Sequence, residues 1–239
     1  RREEELPVYE KLGDVRSRAI TMGNIADVLQ ARGDLDEALR IFRDEQLPVY
    51  EKLGDVRERA VTMGKIADVL QARGDLDEAL RIFREELLPV FEKLGDVRSR
   101  AITMGKIADV LQARGDLDQA LRIRREEQLP VYEKLGDVRS RALTMGKIAD
   151  VLQNRGDLDE ALRIRREEQL PVYEKLGDVR SLLVTRAKLA TCLYLRGNAG
   201  DREEAAKLLE QALQAADHLR LPEATAIRQL IAKTGAGSR

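Results

Sequence analysis

Several residue types that specialised proteins depend on are scarce in this sequence. Its 239 residues include one cysteine, one histidine and no tryptophan, and aromatic residues make up only 3%. The single cysteine, Cys192, cannot close an intramolecular disulfide, which suits a reducing compartment. No run approaches the roughly 18 apolar residues that a membrane span needs, and residues 1–10 lack the apolar core of a secretory signal. We therefore expect a soluble, cytoplasmic protein with no membrane partner.

Charge of one sign is not in excess either. The chain carries 42 Lys+Arg against 43 Asp+Glu, whereas proteins that bind nucleic acid through general electrostatics usually carry a basic excess. No nucleic acid partner is expected. The charged fraction of 36%, with apolar residues that are mostly Leu, Ala, Ile and Val, favours long helices with exposed charged faces. Strand signals are missing, so the composition predicts an all-α protein.

The dominant feature is an internal repeat of 41 residues. Prolines recur at that spacing from Pro7 to Pro171, and residues 47–87 and 88–128 are identical at 35 of 41 positions. Such a fixed period indicates an array of structural repeats, whose last unit needs a cap. We divide the chain into the end of a truncated repeat (1–5), four close copies (6–46, 47–87, 88–128 and 129–169), a divergent fifth (170–221), a C-terminal cap helix (222–234) and a disordered tail (235–239).

Each repeat holds two helical stretches separated by Gly-Asp turns, called here helix A and helix B. In one copy, helix A is expected from Asp55 to about Arg73, because apolar residues recur there at steps of four and three. Gly74 is expected to end this helix in a left-handed conformation, and Asp75 with Glu78 to open helix B as a capping box. The predicted buried stripe of helix A consists of Val56, Ala60, Met63, Ala67 and Leu70.

Helix B is expected over 75–94 and contains Pro89. A proline has no N–H for the carbonyl of Glu85 and disfavours helical geometry at Leu88, so the helix either kinks or restarts there. Because the apolar spacing keeps its phase across the proline and Leu88 is no polar cap, we predict a kinked but continuous helix.

The string IADVLQARGDLDEALRIF, residues 66–83, resembles the centre of a tetratricopeptide repeat (TPR). It has the large-small pair Ile66-Ala67, Gly74 in the turn, Ala79 early in helix B and Phe83 one turn later. The unit is 41 residues rather than the usual 34, which is similar to the longer-repeat branch of kinesin light chains and bacterial sensor proteins. The resemblance implies a right-handed α-solenoid of antiparallel helix pairs, a TPR-like superhelix with a C-terminal capping helix.

The position of Phe83 departs from the family pattern. Phe42 and Phe83 are replaced by Arg124 and Arg165 in the later copies, so this position is expected to be a poor core position. The neighbouring isoleucines are constant and are the better candidates for the core. They are Ile41, Ile82, Ile123 and Ile164.

The resemblance also implies a binding site, because helix A lines the concave face in this family and contacts a peptide there. Carried over by position, the candidates form three sets. The aspartate set is Asp27, Asp68, Asp109 and Asp150; the glutamine set is Gln30, Gln71, Gln112 and Gln153; and the lysine set is Lys65, Lys106 and Lys147.

Two interpretations of this face stay open. The aspartate set either binds a partner, preferably one with spaced Lys or Arg, or is a solvated face paired with the lysine set. A glycine recurs four residues before each aspartate, where it costs roughly 1 kcal/mol against alanine. Either tight packing between neighbouring A helices or close approach of a ligand would explain it. These glycines are Gly23, Gly64, Gly105 and Gly146.

The residues for catalysis are nearly absent. The one histidine, His218, lies far along the chain from Cys192, and no nucleophile with an adjacent base is apparent. The MGKIAD string lacks a glycine-rich phosphate loop, and the DLDE clusters are typical of helix caps rather than calcium loops. We expect no enzyme and no cofactor or metal site.

These observations lead to a protein–protein interaction scaffold that binds a protein or peptide segment on helix A. The alternative is a sensor or regulatory arm of a larger multidomain protein with a nucleotide-switch or effector domain. A base-reading array is not expected, because such arrays vary their contact residues and these copies hardly do. Residues 1–12 are a half-helix with an apolar stripe, so end-to-end self-association is also expected.

Overall fold

In the computed structural model, residues 2–234 are described, with side chains from Glu5 onward; the tail assigned above, 235–239, lies outside the described residues. That range forms twelve helices and no strand, an all-α repeat fold. The chain divides into two compact units, one up to Asp116 and one from Leu117.

The helices of the first unit are α1 (Arg2–Leu12), α2 (Val15–Arg32), α3 (35–53), α4 (Val56–Arg73), α5 (76–93) and α6 (Val97–Arg114). Those of the second unit are α7 (117–134), α8 (Val138–Arg155), α9 (158–176), α10 (Val179–Arg196), α11 (Asp201–His218) and α12 (Glu223–Thr234). Helices α2, α4, α6, α8 and α10 are A helices, and α3, α5, α7, α9 and α11 are B helices.

The ends of helix A follow the turn chemistry of the sequence. Asp55 accepts a hydrogen bond from the Glu58 N–H at 3.1 Å and so caps α4. At the other end Gly74 is left-handed, with φ of +92°, as predicted. The capping box at Asp75 is wrong: Asp75 stands before α5, but its side chain accepts no cap hydrogen bond. Its carboxylate instead pairs with Arg73 at 3.2 Å, because the end of helix A brings a guanidinium beside it.

The B helices that contain a proline are continuous, as predicted, but each contains a π-helical turn just before the proline. In α5 the Leu88 N–H donates to the carbonyl of Phe83, five residues back. This wider register brings Pro89 to the start of the next α-helical segment, where no N–H is needed. The proline is therefore accommodated without a break. The π-helical turns are Ile41–Gln46, Ile82–Leu87, Ile123–Gln128 and Ile164–Gln169.

The last residue of the π-helical turn packs onto the glycine of helix A in the same pair. A Cβ atom on Gly64 would lie 3.2 Å from Leu87 Cδ2, and one on Gly146 would lie 2.1 Å from Gln169 Nε2. Gln169 also donates from Nε2 to the backbone carbonyl of Ala142 at 3.2 Å. These glycines thus permit close packing of A against B within a pair. This contact with helix B of the same pair is one that neither earlier explanation named. Packing between A helices and room for a ligand stay predictions.

The core differs from the prediction at two places. Val56 is 53% exposed, because it lies in the first turn of α4, although the rest of its predicted stripe is buried. The position expected to be a poor core position is fully buried in all four copies, at 1% exposure or less, whether it holds Phe83 or Arg165. The isoleucines that are constant between the copies are buried as predicted. The residues concerned are Phe42, Phe83, Arg124 and Arg165 at the first position, and Ile41, Ile82, Ile123 and Ile164 at the second.

The glycine contacts predict different costs for the same substitution in two pairs. Gly64→Ala should stay within about 1 kcal/mol of the parent free energy of unfolding, since the gain in helix propensity offsets a small shift of Leu87. Gly146→Ala should cost about 1–2 kcal/mol, because the buried Gln169 amide must move and lose its bond to helix A. Urea unfolding of the two variants measures the difference. Equal stability of both variants would contradict this account of the packing.

Candidate binding surface

Each A helix has one face that is not buried, and α8 shows its composition. One row of residues that are not buried recurs at steps of four, four, three and four, which places them on one side of the helix. An apolar residue stands near the start of this face and is followed by a lysine and an aspartate. In order, the face consists of Arg139, Leu143, Lys147, Asp150 and Asn154.

The apolar residue on this face was missed in the sequence. All five A helices place a large aliphatic side chain there, and it is 36% to 58% exposed. The signal that could have found it is an apolar residue that recurs every 41 residues outside the buried stripe. We call these residues the exposed aliphatic set. They are Ile20, Val61 and Ile102 in the first unit and Leu143 and Val184 in the second.

Three members of the aspartate set, Asp27, Asp68 and Asp150, form ion pairs with a lysine of the following A helix. In the first unit, Lys65 Nζ lies 2.8 Å from Asp27 Oδ2, and Lys106 Nζ lies 2.8 Å from Asp68 Oδ1. Asp109 and Lys147 are also engaged. The glutamine set is half-buried one turn further along each A helix. These contacts favour the interpretation of a charged face paired with lysines, and each such pair contributes at most about 1 kcal/mol.

In the second unit the corresponding aspartate has two cationic partners. Lys188 Nζ lies 2.6 Å from Asp150 Oδ2, and an Arg165 guanidinium nitrogen lies 2.6 Å from Asp150 Oδ1. The Arg165 side chain is only 1% exposed. In the first unit the position of Arg165 holds Phe83, so Asp68 has its lysine alone.

The two aspartates therefore have opposite pKa shifts. Burial raises the pKa of the Asp68 carboxyl, and the attraction of Lys106 does not offset this, so its pKa lies above the ordinary value. Burial acts in the same direction on Asp150. There the combined charges and hydrogen bonds of Lys188 and Arg165 outweigh burial, so the pKa of Asp150 lies below the ordinary value.

Models of the tetratricopeptide repeat match most of the chain. One matches residues 17–87 and again 58–127, a second matches 187–223, and a third matches 149–167. The sequence matches no curated protein at a significant level.

Solved structures with the same fold share little sequence with this chain. BtubC (BKLC) from P. vanneervenii is 18% identical with a TM-score of 0.73, over 92% of this chain and 89% of that one. A protein of Podosopora anserina assigned as a kinesin light chain, with nearly identical TPR-like repeats, is 22% identical with a TM-score of 0.64, over 85% and 98%. A signal transduction ATPase with a tetratricopeptide repeat sensor from Pyrococcus horikoshii is 15% identical with a TM-score of 0.70, over 91% and 33%. At these identities the likeness shows the fold.

Tetratricopeptide repeats are typically non-enzymatic scaffolds that mediate contacts between proteins. Within the part of the chain that is described, no helix is both long enough and apolar enough to cross a membrane.

The contrast between Asp68 and Asp150 predicts unequal effects of the same substitution. At pH 7, Asp150→Asn should cost about 3 kcal/mol of unfolding free energy, because the buried Arg165 loses its charged partner. Asp68→Asn should cost less than about 1 kcal/mol, because ionising Asp68 opposes folding once the pH exceeds its raised pKa. Urea unfolding of both variants gives the comparison.

The pH dependence of the stability deficit of Asp150→Asn serves as the control for the role of the Asp150 charge. Since the folded pKa of Asp150 is lowered, its stabilisation is present above the ordinary value of 3.8 and is lost as the pH falls through the lowered pKa. The deficit of Asp150→Asn against the parent should therefore shrink below pH 3.8. A deficit that is constant with pH would show that the Asp150 charge does not stabilise the fold.

Proposed function

Because the chain belongs to the tetratricopeptide repeat family, whose members bind proteins or peptides, we propose that it is a protein-interaction scaffold that binds a partner segment on the exposed face of its A helices. The exposed aliphatic set carries this proposal. Large aliphatic side chains that recur on an otherwise polar exposed face have no folding role that requires their exposure, and such side chains supply binding energy when a partner covers them.

Charged residues beside the aliphatic set would then determine which segment binds. Asp27 is 44% exposed, more than Asp68 at 30% and Asp150 at 21%, so a basic side chain of a partner can reach it more easily than those two. The aspartate, glutamine and lysine sets are the proposed polar contacts. We propose no catalytic role for the chain, and we place it in the cytoplasm, where its free thiol at Cys192 would remain reduced.

A sensor or regulatory arm of a larger protein is the second candidate. It is supported by the fold likeness to the Pyrococcus horikoshii ATPase, in which a tetratricopeptide repeat is the sensor and only 33% of the chain is covered. The reading frame that encodes this chain tests the idea. A nucleotide-binding domain in the same frame would support a sensor, and a frame with repeats alone would exclude it.

Self-association remains part of the proposal because α1 exposes aliphatic side chains. Leu12 is the most exposed large hydrophobic residue described, at 73%, and Val8 is also exposed. Contacts of α1 with a second copy would cover them. Light scattering should then show a mass that rises with concentration and that falls to the monomer value in Leu12→Glu; a constant monomer mass would end this proposal.

The scaffold proposal predicts that binding depends on the aliphatic set and tolerates the same change elsewhere. Peptides selected from a random library against the parent protein should bind at least tenfold more weakly to Ile102→Glu, because a charge would enter the covered surface. Leu94→Glu is the matched control, since Leu94 and Ile102 are equally exposed, at 47%, but Leu94 is the C-cap residue of α5, a B helix. Fluorescence anisotropy measures both affinities. If Ile102→Glu binds like the parent, or if both variants lose binding equally, the proposed surface is wrong.

A further inference from the structure

The second unit contains a pocket of about 220 Å³ that opens between α8, α9 and α10. Leu143 and Val184 of the exposed aliphatic set line it, so it belongs to the face on which a partner segment is proposed to lie. Asp150, Arg165 and Lys188 also line it, which brings their charges next to apolar side chains. The pocket is therefore a place where one side chain of a bound segment can be recognised.

The charges that line the pocket do not balance. Asp150 is the one carboxylate among its lining residues, whereas Lys147, Arg165, Arg180 and Lys188 are cationic. Arg180 is paired with Glu223 outside the lining, and Lys147 is engaged. This leaves Arg165 and Lys188 to share one carboxylate.

Burial makes this imbalance costly at Arg165. Its side chain is 1% exposed, and its Nε–H has no hydrogen-bond partner among the described residues. A buried cation that shares its counter-ion and leaves a donor unpaired costs free energy relative to a fully paired one. A second carboxylate at this place would reduce that cost.

The array itself contains a copy in which the equivalents of these lining residues are more apolar. In the copy 82 residues earlier, Phe83, Leu87 and Phe91 occupy the positions of Arg165, Gln169 and Tyr173, while the aspartate and both lysines are the same. Lys106 and Asp68 then pair one to one. The other lining positions are either identical or exchange one aliphatic residue for another. The pairs of equivalent residues are Leu143 with Val61, Gly146 with Gly64, Lys147 with Lys65, Asp150 with Asp68, Arg180 with Arg98, Ser181 with Ser99, Val184 with Ile102, Thr185 with Thr103, and Lys188 with Lys106.

We propose that this pocket binds one carboxylate of the partner segment, and that Arg165 makes it selective for an anionic group. The inference rests on the proposed scaffold function. Lys188 is partly exposed and turns from Asp150 to the incoming carboxylate, while Arg165 keeps Asp150. The bound state then has two cations and two carboxylates, each paired one to one. An acidic side chain within the segment supplies the carboxylate.

The test follows binding of N-acetyl-glutamate methylamide, with the glutamine derivative as the neutral match and acetate as the free anion. Backbone amide shifts of the parent protein should saturate at Ser181 and Lys188 with the glutamate derivative, and at least tenfold more weakly with the glutamine derivative. Equal binding of the two derivatives would overturn the proposal. So would acetate binding as tightly as the glutamate derivative, because the pocket would then recognise a free ion and not a segment.

Two variants locate the effect at Arg165. Arg165→Phe/Gln169→Leu/Tyr173→Phe installs a combination that the fold already packs in α5, and it should weaken glutamate binding at least tenfold. The reverse graft, Phe83→Arg/Leu87→Gln/Phe91→Tyr, should create new saturable shifts at Ser99 and Lys106. Unchanged binding by the first variant would overturn the role of Arg165. A folded reverse graft without new shifts would also count against that role, because an arginine at the equivalent position would then fail to create a carboxylate site.

The outcome is separable from that of the scaffold proposal. Selected peptides that depend on Ile102 while the glutamate derivative fails to bind would leave the scaffold in place and refute the carboxylate pocket. If the selected peptides do not depend on Ile102 and the glutamate derivative also fails to bind, the proposed binding surface is wrong.

Discussion

The close contact between the glycine of helix A and the last side chain of the π-helical turn is the constraint on which the pair geometry depends. Gly64 allows Leu87 to approach, and Gly146 allows the amide of Gln169 to reach the Ala142 carbonyl. The proline is part of the same device, since the wide turn that accommodates it also directs this side chain toward helix A. Proline, π-helical turn and glycine therefore act together.

This device explains why one position is buried whatever residue occupies it. The second residue of the π-helical turn is held inside the pair, so Phe83 and Arg165 have the same exposure of 1%. Phenylalanine gains hydrophobic free energy there, whereas arginine must find a counter-ion. Asp150 on helix A meets that need at 2.6 Å. The backbone thus imposes burial, and the side chain determines the electrostatics of the exposed helix A face beside it.

Local features of the fold were predictable because they depend on neighbours in the sequence. The helix periods and the left-handed Gly74 arise within a few residues. The caps were the exception: the capping box was expected at Asp75, whereas the side-chain cap that forms is at Asp55 and Asp75 pairs with Arg73. The π-helical turn was not predictable, since the apolar phase is compatible with either hydrogen-bond register across Pro89. The pairing of Lys65 with Asp27 joins residues in successive pairs, and the burial of Arg165 depends on how two helices pack. The identity of the residue at one position predicts neither the Lys65–Asp27 pairing nor the burial of Arg165.

Because the copies are nearly identical, the few positions at which they differ can be linked to differences in their electrostatics. The aspartates and lysines of the A helices hardly change along the array, yet Asp68 and Asp150 have pKa values shifted in opposite directions. The difference comes from buried residues of helix B, where phenylalanine and leucine give way to arginine and glutamine. The exposed face of the A helices can therefore acquire local selectivity through substitutions beneath it, while the aspartates and lysines on that face stay the same. Among the positions that line the second unit's pocket, those of helix B are the ones whose chemical character changes between the two copies: Phe83, Leu87 and Phe91 against Arg165, Gln169 and Tyr173.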